Sequence, residues 1–408
     1  MTRLTAPLVR CALVLGLLLA AVGCGKAAKD QVTIMVPWTE TEFQAFYAVI
    51  NDFEDRYPAI DVVPQVTRDL TPQLDAAVAA KAAPDLAVLA SVGAITKFRN
   101  DKVLEDLEVG TAAFIRPFRD LAMHRGDVYA VPVKADVKSL VWYDPKVVVP
   151  APPSTWPALV ADPEPWCLGL ASGPTSGWPG ADWIADILLA EEGITTYKDW
   201  ASGAREWSSD PVARAWSMWH DVIEESDRSQ ASTLKFSKAS KGMADSTCSL
   251  SHGALSAMDF APGKEEKYTY ARPREGQPLE VSADFVGQFT TSEHATTLIK
   301  YLATAKAQQI WVDQPGFALS PHKKVIYPDP DSAEARTAQL LRSGHPLCFS
   351  AADAMDPDVS AAFYRAVLEY VKGGELRPLL ESLDRVQERL GNDDSPPSAP
   401  LCGPPNRP

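Results

Sequence analysis

Short runs rich in β-branched residues alternate with longer segments of helical period along most of this chain. That alternation points to an α/β architecture built on a parallel sheet. QVTIMVPW (31–38) reads as a strand ending in a loop, and the residues after it carry Phe43, Phe46, Tyr47, Ile50 and Phe53 at helical spacing. Pro58 stops that helix, AIDVVPQV resumes as a strand, LTPQLDAAVAAKAA is helical and PDLAVLAS is a short buried strand. The β-rich run GDVYAVPVKADVKSLVWYDPKVV carries a proline and polar residues in its middle, which suits a passage between two bodies better than a central strand. A Pro-rich stretch follows at 150–165.

A second α/β unit runs from Trp166 to about Phe260: a strand (CLGLAS), a Gly-rich loop (SGPTSGWPG), the helices DWIADILLAEEG and PVARAWSMWHDVIEE, and a strand around GALSAMDF. LEVSADFVGQF is β-like again, HATTLIKYLATAKAQQIWVDQ is an amphipathic helix, and 363–390 supplies closing helices. After Gly391 the Pro-rich tail has the composition of a disordered segment. At 408 residues the chain exceeds one comfortable core, so two lobes are expected.

Charge excludes one class of partner. The 39 Lys and Arg against 53 Asp and Glu give a net −14 with no basic run, so no nucleic acid is expected. At the N-terminus, Arg3 and Arg10 precede an apolar stretch from Ala12 to Val22, too short for an ordinary span and typical of an export signal. Ala21-Val22-Gly23-Cys24 resembles a bacterial lipobox, which implies a signal peptide at 1–23, a leader at 24–29 and a lipid on Cys24 that tethers the mature protein. The other reading is a plain secretory signal with an incidental Cys24.

Several further pieces carry a family resemblance: VTIMVPWTETEFQAF, FEDRYPAIDV, AAKAAPDLAVLAS, YAVPVKADVKSLVWYDPKVV, PSTWPALV, GALSAMDF, SADFVGQF, LIKYLATAKAQQIWVDQPGFALSP and FYRAVLEYV. In their order and spacing they resemble the extracellular solute-binding lipoproteins of bacterial carbohydrate ABC importers. PWCLGLASGPTSGWPGADWIAD, VKADVKSLVWY and FSAADAMDPDV are most similar to the α-glucoside-type members. The resemblance implies a periplasmic-binding-protein-like fold of two interleaved lobes joined by a multi-strand hinge. Lobe one would take 30–133 and 284–345, lobe two 136–281 and 346–392, with 393–408 as the tail. It also implies a monomer on the outer face of the cytoplasmic membrane, an oligosaccharide held between the lobes, and ABC permease subunits as partners.

Sugars present C–H patches and a ring of hydroxyls, so their sites need aromatic faces beside carboxylates or amides. Trp38, Glu40 and Glu42 follow the first strand, where open α/β sheets present loops to a ligand, with helix N-terminal placement or wall packing as the alternative. Ser91 ends another strand at the equivalent edge and is equally suited to capping a helix. Lys134, Asp136 and Lys138 alternate along the crossing run and share one side of it, as a polar cleft floor or a structural ion-pair set. Trp178 in the Gly/Pro loop is the leading stacking candidate, with Asp182 as a helix N-cap and Trp183 as core. Asp259 with Phe260, Asp284 with Phe285, and Phe317 complete the candidates, while Trp207, Trp216, Trp219 and Trp311 read as packing.

Four cysteines remain for the exported body: Cys167, Cys248, Cys348 and Cys402. An even number outside the cytoplasm suggests disulfides, and three pairings are open. Cys167 with Cys248 and Cys348 with Cys402 is preferred, because each pair lies within a lobe or ties down the tail. Neither CxxC nor HExxH occurs, so no metal or cofactor is expected. Without a GxSxG elbow, a GxGxxG turn or a phosphate loop the chain shows no positive sign of an enzyme. The rivals are a glycoside hydrolase, a receptor for a non-sugar solute, and a sensor or structural surface protein.

Overall fold

Strand β1 (Asp30–Val36) pairs in parallel with β2 (Ile60–Val66) and β3 (Leu86–Leu89). The computed structural model describes residues 29–390 and 400–403, apart from 225, 227, 261–263, 273–275 and 277; the export segment and Cys24 lie outside the described residues. The helix Glu40–Arg56 lays Phe46, Val49, Ile50 and Phe53 onto this sheet, one apolar face at helical spacing. Because the strands run parallel, the loops after β1 and β3 emerge at one edge. They carry Trp38 to Glu42 and Ser91 there.

After a small hairpin, β4 (Met123–His124) with β5 (Asp127–Val128), the chain crosses in β6 (Val131–Val137) and enters the second lobe at β7 (Val141–Tyr143). That lobe holds a three-stranded antiparallel sheet in the order β8 (Leu250–His252), β7, β9 (Thr269–Ala271). The return is β10 (Leu279–Gln288), whose start pairs with β11 (Leu347–Phe349) and whose end pairs with β3. Antiparallel pairing of β6 with β10 slips at Asp284/Phe285, so the two crossings form one twisted ribbon between the lobes. The resulting mixed sheet has seven strands, ending in β12 (Cys402–Gly403).

Lobe two is held largely by aromatic packing. Trp200, Trp207 and Trp216, on or beside the helices Trp178–Ala201 and Asp210–Val222, meet Phe363 at centroid distances of 4.9–5.7 Å. Each is essentially without solvent contact, and full burial of one large apolar side chain contributes ~1.5–3 kcal/mol. The packing reading of Trp207, Trp216 and Trp219 therefore matches the structure.

Three local expectations need correction. CLGLAS forms no strand; isolated bridges tie Ala171 to Lys235 and, just before the segment, Trp166 to Leu250. The strand expected around GALSAMDF is a 3-10 turn at Leu255–Ala257, with the ladder strand β8 just before it, because Gly253 (φ 127°) turns the chain out of the sheet. The long amphipathic helix is two, Glu293–Leu302 and Ala305–Val312, with Thr304 capping the second through Ala307 N–H.

Residues 400–403 of the tail depart from its composition, and the rest of the tail lies outside the described residues. Leu401 is buried, Phe349 N–H donates to Leu401 O at 2.9 Å, and Cys402 is bonded to Cys348 in the adjacent strand. The other disulfide joins Cys167 to Cys248 within lobe two. Since the Cys348–Cys402 link closes a sequence span of 54, replacing both cysteines by serine is expected to cost roughly 2–4 kcal/mol. A melting scan should show the midpoint several degrees lower, and an unchanged midpoint would mean that the strap carries no stability.

Candidate functional site

The cleft floor is built on β6. Lys134 Nζ lies 2.8 Å from Glu42 Oε1 and 3.6 Å from Asp136 Oδ2, and Arg68 stands 3.9 Å from the other Glu42 oxygen. Asp136 Oδ1 accepts from Ser256 Oγ at 2.6 Å, so a polar chain runs from lobe one through the crossing to lobe two. Four residues on, Lys138 Nζ meets Asp182 at 2.8 Å and Asp353 at 3.1 Å. Burial alone would lower the Lys138 ammonium, but Asp182, Asp353 and Glu280 together hold it well above the ordinary lysine range. Behind it, Ser139 Oγ donates to Asp186 and accepts from Glu280 N–H. The Trp178–Ala201 helix thus receives the first crossing through Asp182 and Asp186. Tyr197, past the non-helical break at Gly193, donates to Phe349 O of β11 at 3.0 Å.

Two walls face each other over this floor. On lobe two, the half-buried Trp178 ring meets Phe236 edge-on at 4.8 Å, and Lys138 Nζ lies 5.7 Å from its centroid. Trp178, Asp182, Trp183, Phe236, His252 and Met258 are among the residues around a small recess. Lobe one answers with Arg68, whose guanidinium is 5.7 Å from the Phe236 ring, and Glu40, 3.9 Å from Lys235. Glu40 (φ 52°) and Phe317 (φ 57°) are both non-glycine residues in the left-handed region. Such strain is costly enough to persist mainly where surrounding structure enforces it, often at functional sites. Among the described residues no group of three His, Cys, Asp or Glu is placed to hold a metal, and no helix is long and apolar enough to cross a membrane.

Two α/β lobes around an ion-paired, aromatic-walled cleft are the architecture of a receptor, and comparison with known families agrees: the family model described as bacterial extracellular solute-binding protein matches residues 48–338. The chain belongs to that family. The solute-binding protein is 25% identical over 407 residues to the osmoprotective compounds-binding protein GgtB of Synechocystis, covering 90% of this chain and 94% of the relative. To the alpha-glucosides-binding periplasmic protein AglE of Rhizobium meliloti it is 26% identical over 386 residues, covering 84% and 83%. Its fold superposes on the bacterial solute receptor AcbH with a TM-score of 0.77 at 12% identity, covering 89% of this chain and 99% of that one. A chitin oligosaccharide binding protein gives 0.75 at 16%, with the same coverage. Family membership places the protein outside the cytoplasm.

Within this solute-binding protein the expected site residues divide. Trp38 is 2% exposed; its indole N–H donates to Asp284 Oδ2 at 2.8 Å and its ring packs on Phe46 and Trp311, so it is wall and not a stacking face. Phe285 is fully buried against Phe349, and Phe260 is stacked on Tyr268 at 4.3 Å; neither offers a ring to a ligand. Ser91 caps the helix Val92–Asn100 by accepting from Ala94 N–H. Lys138 has no free ammonium face, being held between two carboxylates. Asp182 is not an N-cap: Gly177 holds that position, and Asp182 is the lysine's partner. Asp259 turns to Lys238 at 3.2 Å. Glu40, Glu42, Asp136, Trp178, Asp284 and Phe317 retain some exposure around the cleft. Sequence reasoning missed Phe236, Ser256 and Asp353. Asp353 lies within FSAADAMDPDV, where no residue type or spacing singles it out.

One titration is built into this floor. Burial pushes the Asp284 carboxyl from its ordinary 3.8 up to about 6, against the Lys134 charge and the Trp38 N–H. An acid with a raised folded value binds more protons folded than unfolded, so it costs stability as pH climbs from ~4 through ~6. Asp284→Asn removes that loss, so the variant's midpoint relative to wild type should rise between pH 4.5 and pH 7. An offset that stays constant with pH would contradict this.

Proposed function

We propose that this protein captures an extracellular oligosaccharide, a small glucoside, between its lobes and delivers it to the permease of an ABC importer. The observation that carries this reading is the half-buried Trp178 ring beside carboxylates already paired to lysine. An aromatic face takes the C–H patch of a sugar. Carboxylates held in ion pairs with Lys134 and Lys138 can accept hydroxyl hydrogen bonds from an uncharged ligand. The names of AglE and of the chitin oligosaccharide binding protein support a saccharide. GgtB is named for osmoprotective compounds. A quaternary ammonium solute is disfavoured at Trp178, because the Lys138 ammonium already lies 5.7 Å from that ring.

On this reading the protein is a monomer that binds without transforming its ligand. Glu42 and Asp136 are both paired to one lysine instead of standing apart as an acid and a nucleophile. Lipid on Cys24 would hold it at the outer face of the cytoplasmic membrane beside the permease, and closure of the lobes would present both to that partner. The test is a thermal-shift screen of residues 26–408 against maltose, trehalose, sucrose, longer glucosides, chitobiose, amino acids and betaine. A ligand that binds only the folded state at about 100 times its dissociation constant adds ~2.7 kcal/mol. A shift confined to one saccharide class is expected, and a shift with amino acids or betaine alone would overturn the substrate.

A further inference from the structure

At one end of the cleft the two lobes meet backbone to backbone. Gly93 is the second residue of the helix Val92–Asn100, which starts where β3 ends on lobe one. Opposite it is Met355, the residue that closes the short helix Ala351–Ala354. That helix belongs to lobe two: Ala351 N–H donates to Tyr197 Oη at 2.8 Å, and Asp353 holds the floor lysine Lys138 at 3.1 Å. A Cβ on residue 93 would overlap the Met355 carbonyl oxygen and lie 2.9 Å from its carbon, closer than real Cβ atoms come to anything. Neither backbone can step aside locally. Ala94 N–H is tied to Ser91 Oγ, Met355 N–H donates to Ala351 O at 3.1 Å, and Met355 is 3% exposed. Gly177 and Gly374 press on carbonyls in a similar way, but those carbonyls, of Tyr364 and Glu369, lie in their own lobe. In the same arrangement Arg68 reaches the Phe236 ring and Glu40 reaches Lys235 across the mouth.

We infer that Gly93 is a positioning residue for solute capture: its bare backbone lets lobe one seat on the Met355 carbonyl, and only in that seat do the lobes close over the cleft. The residue sets affinity without touching the solute. A side chain of one carbon keeps the lobes apart, because separating two bodies is the one relief open when both backbones are fixed. The inference rests on the reading above only in placing a solute between the lobes, and it holds for any solute held there.

The test needs no ligand. From residue 26 onward the four cysteines are all in disulfides, so Glu40→Cys with Lys235→Cys adds the two reactive thiols, at exposed positions facing each other across the mouth. A short bis-maleimide should link them within one chain, read on a denaturing gel. Gly93→Ala in that background should slow the link at least five-fold, while reaction with a single maleimide keeps its rate. Gly374→Ala, which crowds a carbonyl inside lobe two, is the control and should leave linking within two-fold. Calorimetric titration with whichever of maltose, trehalose or sucrose the wild type binds should show Gly93→Ala about ten-fold weaker, as a ten-fold fall in the closing-competent fraction requires. Its ligand-free melting midpoint should stay level, since the lobe cores are untouched. Equal linking rates with and without Gly93→Ala, or affinity within two-fold, overturn the inference. So does a parent pair that never links, or a Gly93→Ala chain that does not fold, because the overlap is then met inside a lobe. If the wild type binds betaine or an amino acid and no saccharide, the saccharide reading falls while the linking rates still decide the role of Gly93.

Discussion

Replacing Trp178 by alanine is expected to weaken saccharide binding roughly 30- to 150-fold, the consequence of losing about 2–3 kcal/mol of apolar contact with a sugar face. The fold should tolerate the change, because Trp178 is only half-buried and its neighbours Phe236 and Pro179 do not depend on it for a hydrogen bond. Fluorescence or calorimetric titration reads the affinity, and a melting scan separates it from stability. The loss should appear mainly as faster dissociation, since truncating a contact leaves the encounter rate largely unchanged. Affinity within three-fold of wild type would remove the ring from the site.

Lys138→Met produces the largest loss of stability. The substitution leaves Asp182, 4% exposed, and its neighbour Asp353 without the cation that both contact. Stranding one side of a buried ion pair costs ~3–5 kcal/mol, which for a two-lobed chain lowers the melting midpoint by roughly 5–10 °C. The double change Lys138→Met with Asp182→Asn should recover part of it, because the stranded charge is then removed as well. A midpoint within 2 °C of wild type for the single variant would show that water reaches these carboxylates freely. Such a result would also weaken the case for an ion-paired cleft floor.

Much of this arrangement was legible in the chain. Period alone separated β1, β2 and β3 from the helices between them, and the alternation put Lys134 and Asp136 side by side on the crossing, with Lys138 just past its end. What those charges do was not legible, because their partners lie far along the chain. Glu42 is 92 residues from Lys134, and Asp353 is 215 from Lys138. Trp38 shows the same limit in reverse: its position after β1 suits a ligand, yet Asp284, 246 residues away, takes its N–H and packing takes its ring. Phe236 sits in a segment with no strong period and acquires meaning only through Trp178 on one side and Arg68 on the other. Local signals also failed where a bridge or one glycine decided the outcome, as in CLGLAS and at Gly253. The Pro-rich tail read as loose because composition does not register that Cys402 is bonded to Cys348.

The central claim is that the interlobe cleft takes an uncharged saccharide. The most direct measurement is a calorimetric titration of residues 26–408 with maltose, trehalose and sucrose, run beside betaine and an amino-acid mixture. One-to-one binding of a saccharide, lost on Trp178→Ala, is the predicted result. Heat from betaine or an amino acid with none from any saccharide would contradict it.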